Sequence, residues 1–278
     1  MTREMLALDL FAGTGWGVAL KARGIREAGV EIMPEAVASR EAAGMETIYR
    51  DVWDGLLGDP RPRLLTDIER AERRRAFAKP TEEWSEHEIQ IASPPCQSFS
   101  TAGKGAGRAA LNDVLRAIDD HAYRRPERLR ALGAETDDRT ALVLTPLAHV
   151  YRDRPMYIAW EQVPPVLPVW QACGAVLEQM GYSVWTGIMR AEQYGVPQTR
   201  RRAVLIARRD GVVAAMPTPT HSRYYERQPK RLDPGVPSWV SMANALGFGG
   251  FDLVGNQVPR GRERGDYHSR PSSSPAQP

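Results

Sequence analysis

Met5-Leu-Ala-Leu-Asp-Leu-Phe-Ala-Gly-Thr-Gly15 sets the architecture of this 278-residue chain. Residues 5–12 are apolar except for one carboxylate, a composition that predicts a short buried strand. Two glycines then predict a tight turn, and a helix is expected over residues 16–22. A strand, a glycine turn and a helix in this order form the opening of a doubly wound α/β sheet.

The alternation of strand-like and helix-like segments continues along the chain. Short apolar runs that predict strands alternate with longer runs that have helical spacing. The predicted strands are 30–33, 88–93, 156–160, 182–188 and 203–207, and the predicted helices are 35–43, 141–151 and 169–180. The sequence therefore predicts an α/β fold built on a doubly wound, Rossmann-like sheet.

The composition of the chain changes near residue 210. Beyond this point proline, glycine and arginine become more frequent and the apolar periodicity fades. We predict an α/β domain over residues 1–210, a small, irregular, basic region over 211–270 and a disordered tail over 271–278. The polar segment 58–90, which contains Arg70-Ala-Glu-Arg-Arg-Arg75, is expected to be a surface helix or an insertion.

Bulk properties restrict the class of protein. The net charge of +3 and the pI of about 8.9 are compatible with binding a polyanion but do not demonstrate it. Only two cysteines are present, so a disulfide framework is excluded and a reducing cytoplasm is expected. No apolar run approaches the roughly 18 residues of a membrane span, and the N-terminus leaves no room for a signal peptide. We expect a cytoplasmic protein with no membrane partner and no metal site.

Acidic residues follow the first strand at spacings that suit a nucleotide-like ligand. Glu31 lies 22 residues after Asp9, and Asp51 lies 20 residues further on. In such sheets a carboxylate about 20 residues after the glycine turn binds ribose hydroxyls. Each acid taken alone is more readily explained as a surface residue. Their shared register with predicted strands favours an adenosyl cofactor.

Ser93-Pro-Pro-Cys-Gln-Ser-Phe-Ser100 contains a candidate nucleophile. Two prolines fix the backbone immediately before Cys96, and a glycine-rich stretch follows over residues 103–108. Attack on an aromatic ring carbon requires a polarisable nucleophile held rigidly, and cysteine is intrinsically the best suited. Cys173, by contrast, lies in an apolar helical segment and is expected to be a small buried core residue.

Four motifs occur in the order that one enzyme family shows. They are Asp9-Leu-Phe-Ala-Gly-Thr-Gly15, Pro94-Pro-Cys-Gln-Ser-Phe-Ser100, Glu161-Gln-Val163 and Gln198-Thr-Arg-Arg-Arg202. Over about residues 5–210 the chain resembles the DNA cytosine-5 methyltransferases of bacteria and phages. The resemblance implies that residues 1–210 form a catalytic domain that uses S-adenosyl-L-methionine, and that 211–270 form a target-recognition region.

The resemblance also implies a reaction and a set of site residues. The reaction is methyl transfer to C5 of a cytosine flipped out of double-stranded DNA, through a covalent adduct on the nucleophile, as in restriction–modification or phage protection. The implied catalytic residues are the nucleophile Cys96, the proton donor Glu161, and the arginines Arg202 and Arg200, which hold the base, the glutamate or a phosphate. The implied cofactor-binding residues are Phe11, Ala12, Gly13, Thr14, Gly15, Glu31, Asp51, Pro95 and Leu142.

DNA contacts are implied at two places. The residues near the active site are Gln97, Ser98, Lys104, Arg108 and Gln198, of which Lys104 and Arg108 lie in the glycine-rich stretch, expected to be a mobile loop. The recognition region offers basic and aromatic groups suited to base edges and phosphates, although an irregular basic loop would have a similar composition. These residues are Arg223, Tyr224, Tyr225, Arg227, Lys230 and Arg231.

Two features depart from the family pattern. Gln162 stands where the family has asparagine, so its amide is one methylene further out and looser support of the cysteine loop is expected. Gly255-Asn-Gln-Val-Pro259 mimics the family's closing element, but the helix that should precede it is not recognised, and we interpret the match as a coincidence. The chain is therefore expected to be a truncation or one half of a split enzyme, with a second polypeptide as partner.

Two alternative functions stay open. One is an RNA cytosine-5 methyltransferase with the same chemistry, although the Cys-Phe-Thr tripeptide typical of the transfer-RNA-acting members is absent from this sequence. The other is a non-catalytic or split fragment that needs a second chain. A cognate restriction endonuclease is a further partner that the resemblance allows.

Overall fold

A seven-stranded sheet forms the centre of the molecule's larger unit. The computed structural model describes residues 5–57, 87–95, 106–135 and 141–247. Across the sheet the strand order is β3-β2-β1-β4-β5-β7-β6. The strands are β1 (Leu6–Leu10), β2 (Arg26–Val30), β3 (Glu46–Tyr49), β4 (Ile89–Ala92), β5 (Tyr157–Gln162), β6 (Ser183–Arg190) and β7 (Arg201–Arg208).

Helices connect most of these strands. They are α1 (Gly15–Lys21), α2 (Pro34–Ala42), α3 (Val52–Leu57), α4 (Ala106–Asp119), α5 (Pro126–Glu135), α6 (Thr145–Asp153), α7 (Leu167–Gln179) and the short α8 (Met242–Ala245). Single 3-10 turns occur at Ala122–Arg124, Pro164–Val166 and Ala191–Tyr194. Across the described ranges, no helix is both long enough and apolar enough to cross a membrane.

The order of the strands reverses between β1 and β4. The pairs β2–β3, β1–β2, β1–β4 and β4–β5 are parallel, and β7 runs antiparallel beside β5. The chain leaves β1 towards β2 and β3 and returns on the other side of β1 as β4. Ligands of doubly wound sheets bind at the carboxyl ends of the strands where the order reverses in this way. The predicted Rossmann-like α/β fold is thus confirmed.

The core of the sheet is apolar and rich in tryptophan. The rings of Trp160 on β5 and Trp170 on α7 lie 5.3 Å apart, and both side chains are fully buried. The indole N–H of Trp160 donates to Oε1 of Gln90 at 2.8 Å, so the buried polar groups of β4 and β5 satisfy each other. Cys173 is also fully buried, as predicted, and burial raises the pKa of its thiol, which makes it a poor nucleophile.

The structure corrects several boundaries predicted from the sequence. The second strand ends where it was expected to begin, at Val30. The strand β3 and the helices α3, α4 and α5 were not predicted. Most importantly, α4 begins at Ala106, so residues 106–108 of the predicted mobile loop, including Arg108, are helical. The apolar residues Val114 and Ile118, spaced for one helix face, pack into the core and explain this helix.

The chain divides into two compact units. The first comprises Met1–Met189 and Arg201–Thr218, and the second comprises Arg190–Arg200 and the chain from Pro219 onward. The change of unit therefore comes after Thr218, whereas the sequence predicts a boundary near residue 210. The predicted insertion at 58–90 (up to residue 86), the Gly255–Pro259 element and the tail 271–278 lie outside the described residues.

Backbone hydrogen bonds organise the second unit. The N–H groups of Thr220 and His221 both donate to the Gln193 carbonyl, at 2.9 and 3.0 Å, and the N–H of Ser222 donates to the Pro237 carbonyl at 2.8 Å. Ser222 is fully buried. Apart from one 3-10 turn and α8, the described part of this unit is irregular.

Candidate active site

The strand register of the larger unit brings four chain segments together at the edge of the sheet where the parallel strands have their carboxyl ends. Leu10 at the end of β1 pairs with Val30 of β2 on one side and with Ala92 of β4 on the other. Ala92 in turn pairs with Trp160, so β5 continues two residues past the end of β4. Because β7 is antiparallel to β5, its first residues lie beside the end of β5.

The glycine turn after β1 is held in a specific shape by Glu31. The Gly13 N–H donates to Oε2 of Glu31 at 2.9 Å, and the Met33 N–H donates to Oε1 at 2.8 Å. Phe11 has φ of +62° and Gly13 has φ of +47°, values in the left-handed region. For a bulky residue such as Phe11 this conformation is strained, and such strain is concentrated at ligand-binding turns.

No described residue fills the space beside this turn. Among the residues that the structure describes, a Cβ atom added to Gly13 or Gly15 would meet nothing within 4 Å. The apolar side chains of Ile32 and Met33, which directly follow Glu31, are 65% and 58% exposed. The edge therefore offers a carboxylate, exposed main chain and an apolar surface to a ligand with hydroxyl groups and a flat ring.

Asp9 lies in β1 beneath the turn and is fully buried. Neither carboxylate oxygen has a hydrogen-bond partner within the described part of the chain. Burial, and then the negative charge of Glu27, raise the pKa of Asp9 well above its usual value. A buried polar group without a partner is costly, so a water molecule or a polar ligand group is the expected partner.

The other predicted cofactor residues occupy different positions. Asp51 caps α3, because its Oδ1 accepts the Trp53 N–H at 3.0 Å. Pro95 follows the end of β4. Leu142 precedes α6, where its carbonyl accepts the Thr145 hydroxyl at 2.8 Å. The residues that the structure gathers at the turn are Phe11, Ala12, Gly13, Thr14, Gly15 and Glu31.

Two side chains fix the segment that leads to the predicted nucleophile. The indole N–H of Trp16 donates to the Ser93 hydroxyl at 3.2 Å and so links α1 to the end of β4. The buried Gln162 amide donates to the Pro94 carbonyl, while its Oε1 accepts the Val163 N–H. The longer side chain of Gln162 thus keeps an amide contact with this segment. Cys96, Gln97, Ser98 and Lys104 lie outside the described residues.

Glu161 and Arg202 form an ion pair at the same edge. The register pairs Glu161 with Val204, which places Arg202 as its diagonal neighbour on the same face of the sheet. Nε of Arg202 bonds to Oε1 of Glu161, and each side chain is 23% exposed. A carboxyl group oriented by a guanidinium and still open to solvent can exchange a proton with a bound substrate.

Arg200 and Gln198 belong to the second unit. The Arg200 N–H donates to the Gln198 carbonyl at 3.0 Å, and the Arg200 carbonyl accepts the Ala191 N–H at 2.9 Å. Both residues are exposed. The predicted contacts of Arg200 with the base and of Gln198 with DNA stay predictions.

Three predicted recognition residues form one stacked cluster. The guanidinium carbons of Arg223 and Arg231 each lie 4.3 Å from the centre of the Tyr225 ring. The Tyr225 hydroxyl donates to Oδ1 of Asp233, and the Arg223 N–H donates to Oδ2 at 2.9 Å. These two hydrogen bonds, the hydroxyl first, lower the pKa of Asp233. Of the other predicted residues, Tyr224 packs edge-on against Trp239, and Arg227 and Lys230 are exposed.

Sequence reasoning missed one residue at the glycine turn. Arg40 on α2 is fully buried, and its Nη1 donates to the Gly13 carbonyl at 3.0 Å. A signal was present, because Arg40 lies on the same face of α2 as the buried Val37, three residues before it. An arginine on an apolar helix face indicates a buried polar contact.

Comparisons with known proteins agree with the motifs. Residues 133–240 match the model of the C-5 cytosine-specific DNA methylase family. The DNA (cytosine-5)-methyltransferase PliMCI of Paracentrotus lividus is 25% identical over 224 residues, 78% of this chain and 12% of that protein. The type II methyltransferase M1.HphI of Haemophilus parahaemolyticus is 28% identical over 137 residues, 49% of this chain and 32% of that protein.

One solved structure is similar over most of the chain. It is a proposed DNA modification methyltransferase encoded within an E. coli prophage, 17% identical with a TM-score of 0.49, and the similarity covers 90% of this chain and 56% of that one. The matches to the curated relatives PliMCI and M1.HphI cover only 12% and 32% of those proteins.

Proposed function

We propose that the chain transfers a methyl group from S-adenosyl-L-methionine to C5 of cytosine in double-stranded DNA, because residues 133–240 match the model of the C-5 cytosine-specific DNA methylase family. The observation that carries this proposal is the Glu161–Arg202 pair at the sheet edge that also holds the glycine turn and the Pro94–Pro95 segment. The proposed proton donor, the glycine turn and the segment leading to the proposed nucleophile all lie there.

The residues at the glycine turn fit the adenosyl cofactor. Each Glu31 oxygen uses one lone pair for a backbone N–H and has another for a ribose hydroxyl. The exposed side chain of Ile32 suits an adenine face, and the unpartnered Asp9 carboxyl beneath the turn suits a polar group or a bridging water. When bound, the cofactor supplies a methyl group on a positively charged sulfur. Asp51, Pro95 and Leu142 stay predicted contacts.

The chain's own residues would activate the base. A cytosine stacked in a duplex hides both ring faces, so the base must be flipped out to be reached. The Cys96 thiolate then forms a bond to C6 while N3 takes a proton from Glu161, which Arg202 orients. This addition makes C5 nucleophilic. After methylation, loss of the C5 proton to water, departure of Cys96 as the thiolate and return of the N3 proton to Glu161 restore the aromatic ring.

DNA would be held by residues around this edge and in the second unit. Lys104 and Arg108 suit phosphate oxygens, and their contacts should weaken with rising salt. Gln97, Ser98, Gln198 and Arg200 are the other proposed contacts near the base. We place this activity in the cytoplasm, in a restriction–modification or phage-protection setting like that of type II methyltransferases.

Trapping the covalent adduct tests the proposal. Duplex DNA containing 5-fluorocytosine is incubated with the chain and S-adenosyl-L-methionine, because fluorine at C5 cannot leave as a proton does. We expect a band of enzyme joined to DNA on a denaturing gel. Cys96→Ser should abolish the band, and the matched control Cys173→Ala, at a buried core cysteine, should keep it. Methylation without a trapped adduct, or an adduct that persists in Cys96→Ser, would contradict the proposed chemistry.

The same assay separates the alternatives. An adduct with 5-fluorocytosine RNA but not with DNA would favour the RNA cytosine-5 methyltransferase. If the chain binds S-adenosylhomocysteine but transfers no methyl group, and a second polypeptide restores methyl transfer, the split enzyme is favoured. Binding without transfer under any condition would favour a non-catalytic fragment.

A further inference from the structure

Arg40 is a fully enclosed charged side chain beneath the glycine turn. Its side chain is 0% exposed and that of its partner Glu27 is 4% exposed. Nη2 lies 2.7 and 2.8 Å from the two Glu27 carboxylate oxygens and 2.7 Å from the Glu46 carbonyl. Nε donates to the Thr47 hydroxyl at 3.0 Å. Every nitrogen of the guanidinium therefore has an acceptor, counting the Nη1 bond to Gly13.

The sheet leaves room for this guanidinium at a glycine. A Cβ atom on Gly29 would lie 2.1 Å from Nη2 and 2.4 Å from Cζ of Arg40. Gly29 is a β2 residue paired with Asp9 of β1, so the guanidinium lies against the strand that precedes Glu31. A glycine inside a strand marks such a close approach.

Gly13 is consequently held on both of its backbone polar groups. Its N–H donates to Glu31 at 2.9 Å, and its carbonyl accepts from Arg40 at 3.0 Å. Neither side chain belongs to the turn, since one follows β2 and the other lies on α2. Two independent elements thus fix a single glycine with φ of +47°.

Stability alone does not explain this arrangement. Replacing a buried ion pair with apolar residues of similar volume is often neutral or stabilising, because the charges no longer have to be removed from water. Beyond its pairing with Glu27, Arg40 uses Nη1 to bond the glycine turn. This bond can preorganise the turn for a ligand.

We propose that Arg40 is a positioning residue: anchored on Glu27, it holds the Gly13 carbonyl and fixes the glycine turn in the conformation that binds the cofactor. Arg40 does this from beneath the turn, without touching the cofactor. The inference rests on the proposed binding of S-adenosyl-L-methionine at this turn.

A rescue experiment separates positioning from stability. The full chain is prepared as wild type, as Arg40→Met, as the double variant Glu27→Met with Arg40→Met, and as Arg26→Met. Arg26→Met is the matched control. Arg26 on β2 forms a surface pair with Glu46 on β3 at 3.5 Å, and Arg40 contacts the same two strands. Thermal midpoints are measured by circular dichroism, and S-adenosylhomocysteine affinity by titration calorimetry. Hydrogen exchange is followed over residues 11–15.

The expected result is a split between the two readouts. Arg40→Met should melt early because Glu27 is left buried without its partner, and the double variant should regain the wild-type midpoint. Both should still bind S-adenosylhomocysteine about tenfold more weakly, and the turn should exchange faster, because a hydrogen bond from a charged donor is lost. Arg26→Met should match wild type. Wild-type affinity in the double variant would overturn the inference.

Two further outcomes are also decisive. If the double variant does not fold, Arg40→Lys decides, because one ammonium group keeps the charge but cannot serve Glu27 and Gly13 in the same geometry. Folded Arg40→Lys with weakened binding supports the inference, and full affinity overturns it. If wild type itself binds no S-adenosylhomocysteine, the proposed cofactor site fails and this inference fails with it. Failure of the cofactor site is therefore seen in the wild type, whereas failure of the positioning role alone is seen only in the variants.

Discussion

Two pairs of arginine and glutamate in the larger unit lie in different surroundings. Arg40 and Glu27 are 0% and 4% exposed and lie beneath the glycine turn. Arg202 and Glu161 are each 23% exposed and lie at the ends of β7 and β5. Each nitrogen of the buried guanidinium has a protein acceptor, whereas the second pair stays open to solvent.

The difference in exposure predicts a difference in role. Removing one partner of a buried pair leaves an uncompensated charge, so the loss appears in the free energy of unfolding. A partly exposed pair is screened by water and contributes little to folding, so its loss appears in whatever chemistry the carboxyl performs. Variants of the two pairs should therefore give opposite patterns in stability and activity.

Glu161→Gln should give the largest change, and it should be a change in rate. The amide cannot supply the proton that N3 needs, and general acid catalysis contributes about 10²–10⁴-fold. We expect kcat for tritium transfer to DNA to fall by about that factor with the thermal midpoint unchanged. Glu178→Gln, at an exposed glutamate on α7, is the control. A variant that keeps its rate would remove Glu161 from the mechanism.

Arg40→Met should give the largest change in stability. Leaving Glu27 buried and unpaired should cost roughly 3–5 kcal/mol of unfolding free energy. Arg202→Met, the same substitution in the exposed pair, should cost less than about 1 kcal/mol. Urea unfolding of both variants measures the difference. Equal losses would show that exposure does not separate the two pairs.

The sequence predicted the exposed Glu161–Arg202 pair far better than the buried Arg40–Glu27 pair. The strands β1 and β5 and the helix α7 follow from strong apolar runs. The strand β3, Glu46–Tyr49, has no such run. It is an outermost strand of the sheet, so its residues are only partly buried or exposed. The start of helix α4 was not predicted because Gly103, Gly105 and Gly107 lie before or within its first turn, and glycine disfavours helix.

Single residues show the same limit. The pairing of Glu161 with Arg202 was anticipated from motifs. The burial of Arg40 was not, because arginine is a surface residue by default and only the sheet register brings α2, β2 and the glycine turn together. Likewise, the sequence shows that Gln162 is longer than asparagine, but the contact of its amide with Pro94 depends on β5 running past the end of β4.

Gln162→Leu, next to Glu161 of the exposed pair, should have an intermediate effect, seen in the rate of adduct formation. The substitution keeps the side chain's bulk and leaves the Pro94 carbonyl without its donor, at a cost of about 1–3 kcal/mol for a buried acceptor. Because Pro94 lies two residues before Cys96, we expect the adduct with 5-fluorocytosine DNA to form more slowly. Gln162→Asn should retain more activity than Gln162→Leu. Equal adduct rates in all three proteins would show that the amide does not position the nucleophile.

Tyr225→Phe extends the comparison to an acid in the second unit and should have the smallest effect. The ring stays, so the stacking of Arg223 and Arg231 is kept, and only the hydroxyl bond to Asp233 is lost. That bond is the first cause of the lowered pKa of Asp233. A carboxyl with a lowered folded pKa stabilises above its unfolded value, near 3.9, and loses that contribution as pH falls through the folded value.

The cost of Tyr225→Phe should therefore be confined to higher pH. We expect about 0.5 kcal/mol at pH 7, since Asp233 is largely screened by solvent. That difference should start to shrink as pH drops below about 4, where the acid becomes protonated in the unfolded chain, and should vanish below the lowered folded pKa of Asp233. Tyr224→Phe, whose ring packs on Trp239 instead, is the matched control and should show no such pH dependence. Urea unfolding at pH 7 and pH 3.5 measures both. A cost that persists unchanged at the lower pH would mean that the Tyr225 hydroxyl does not act through the charge of Asp233.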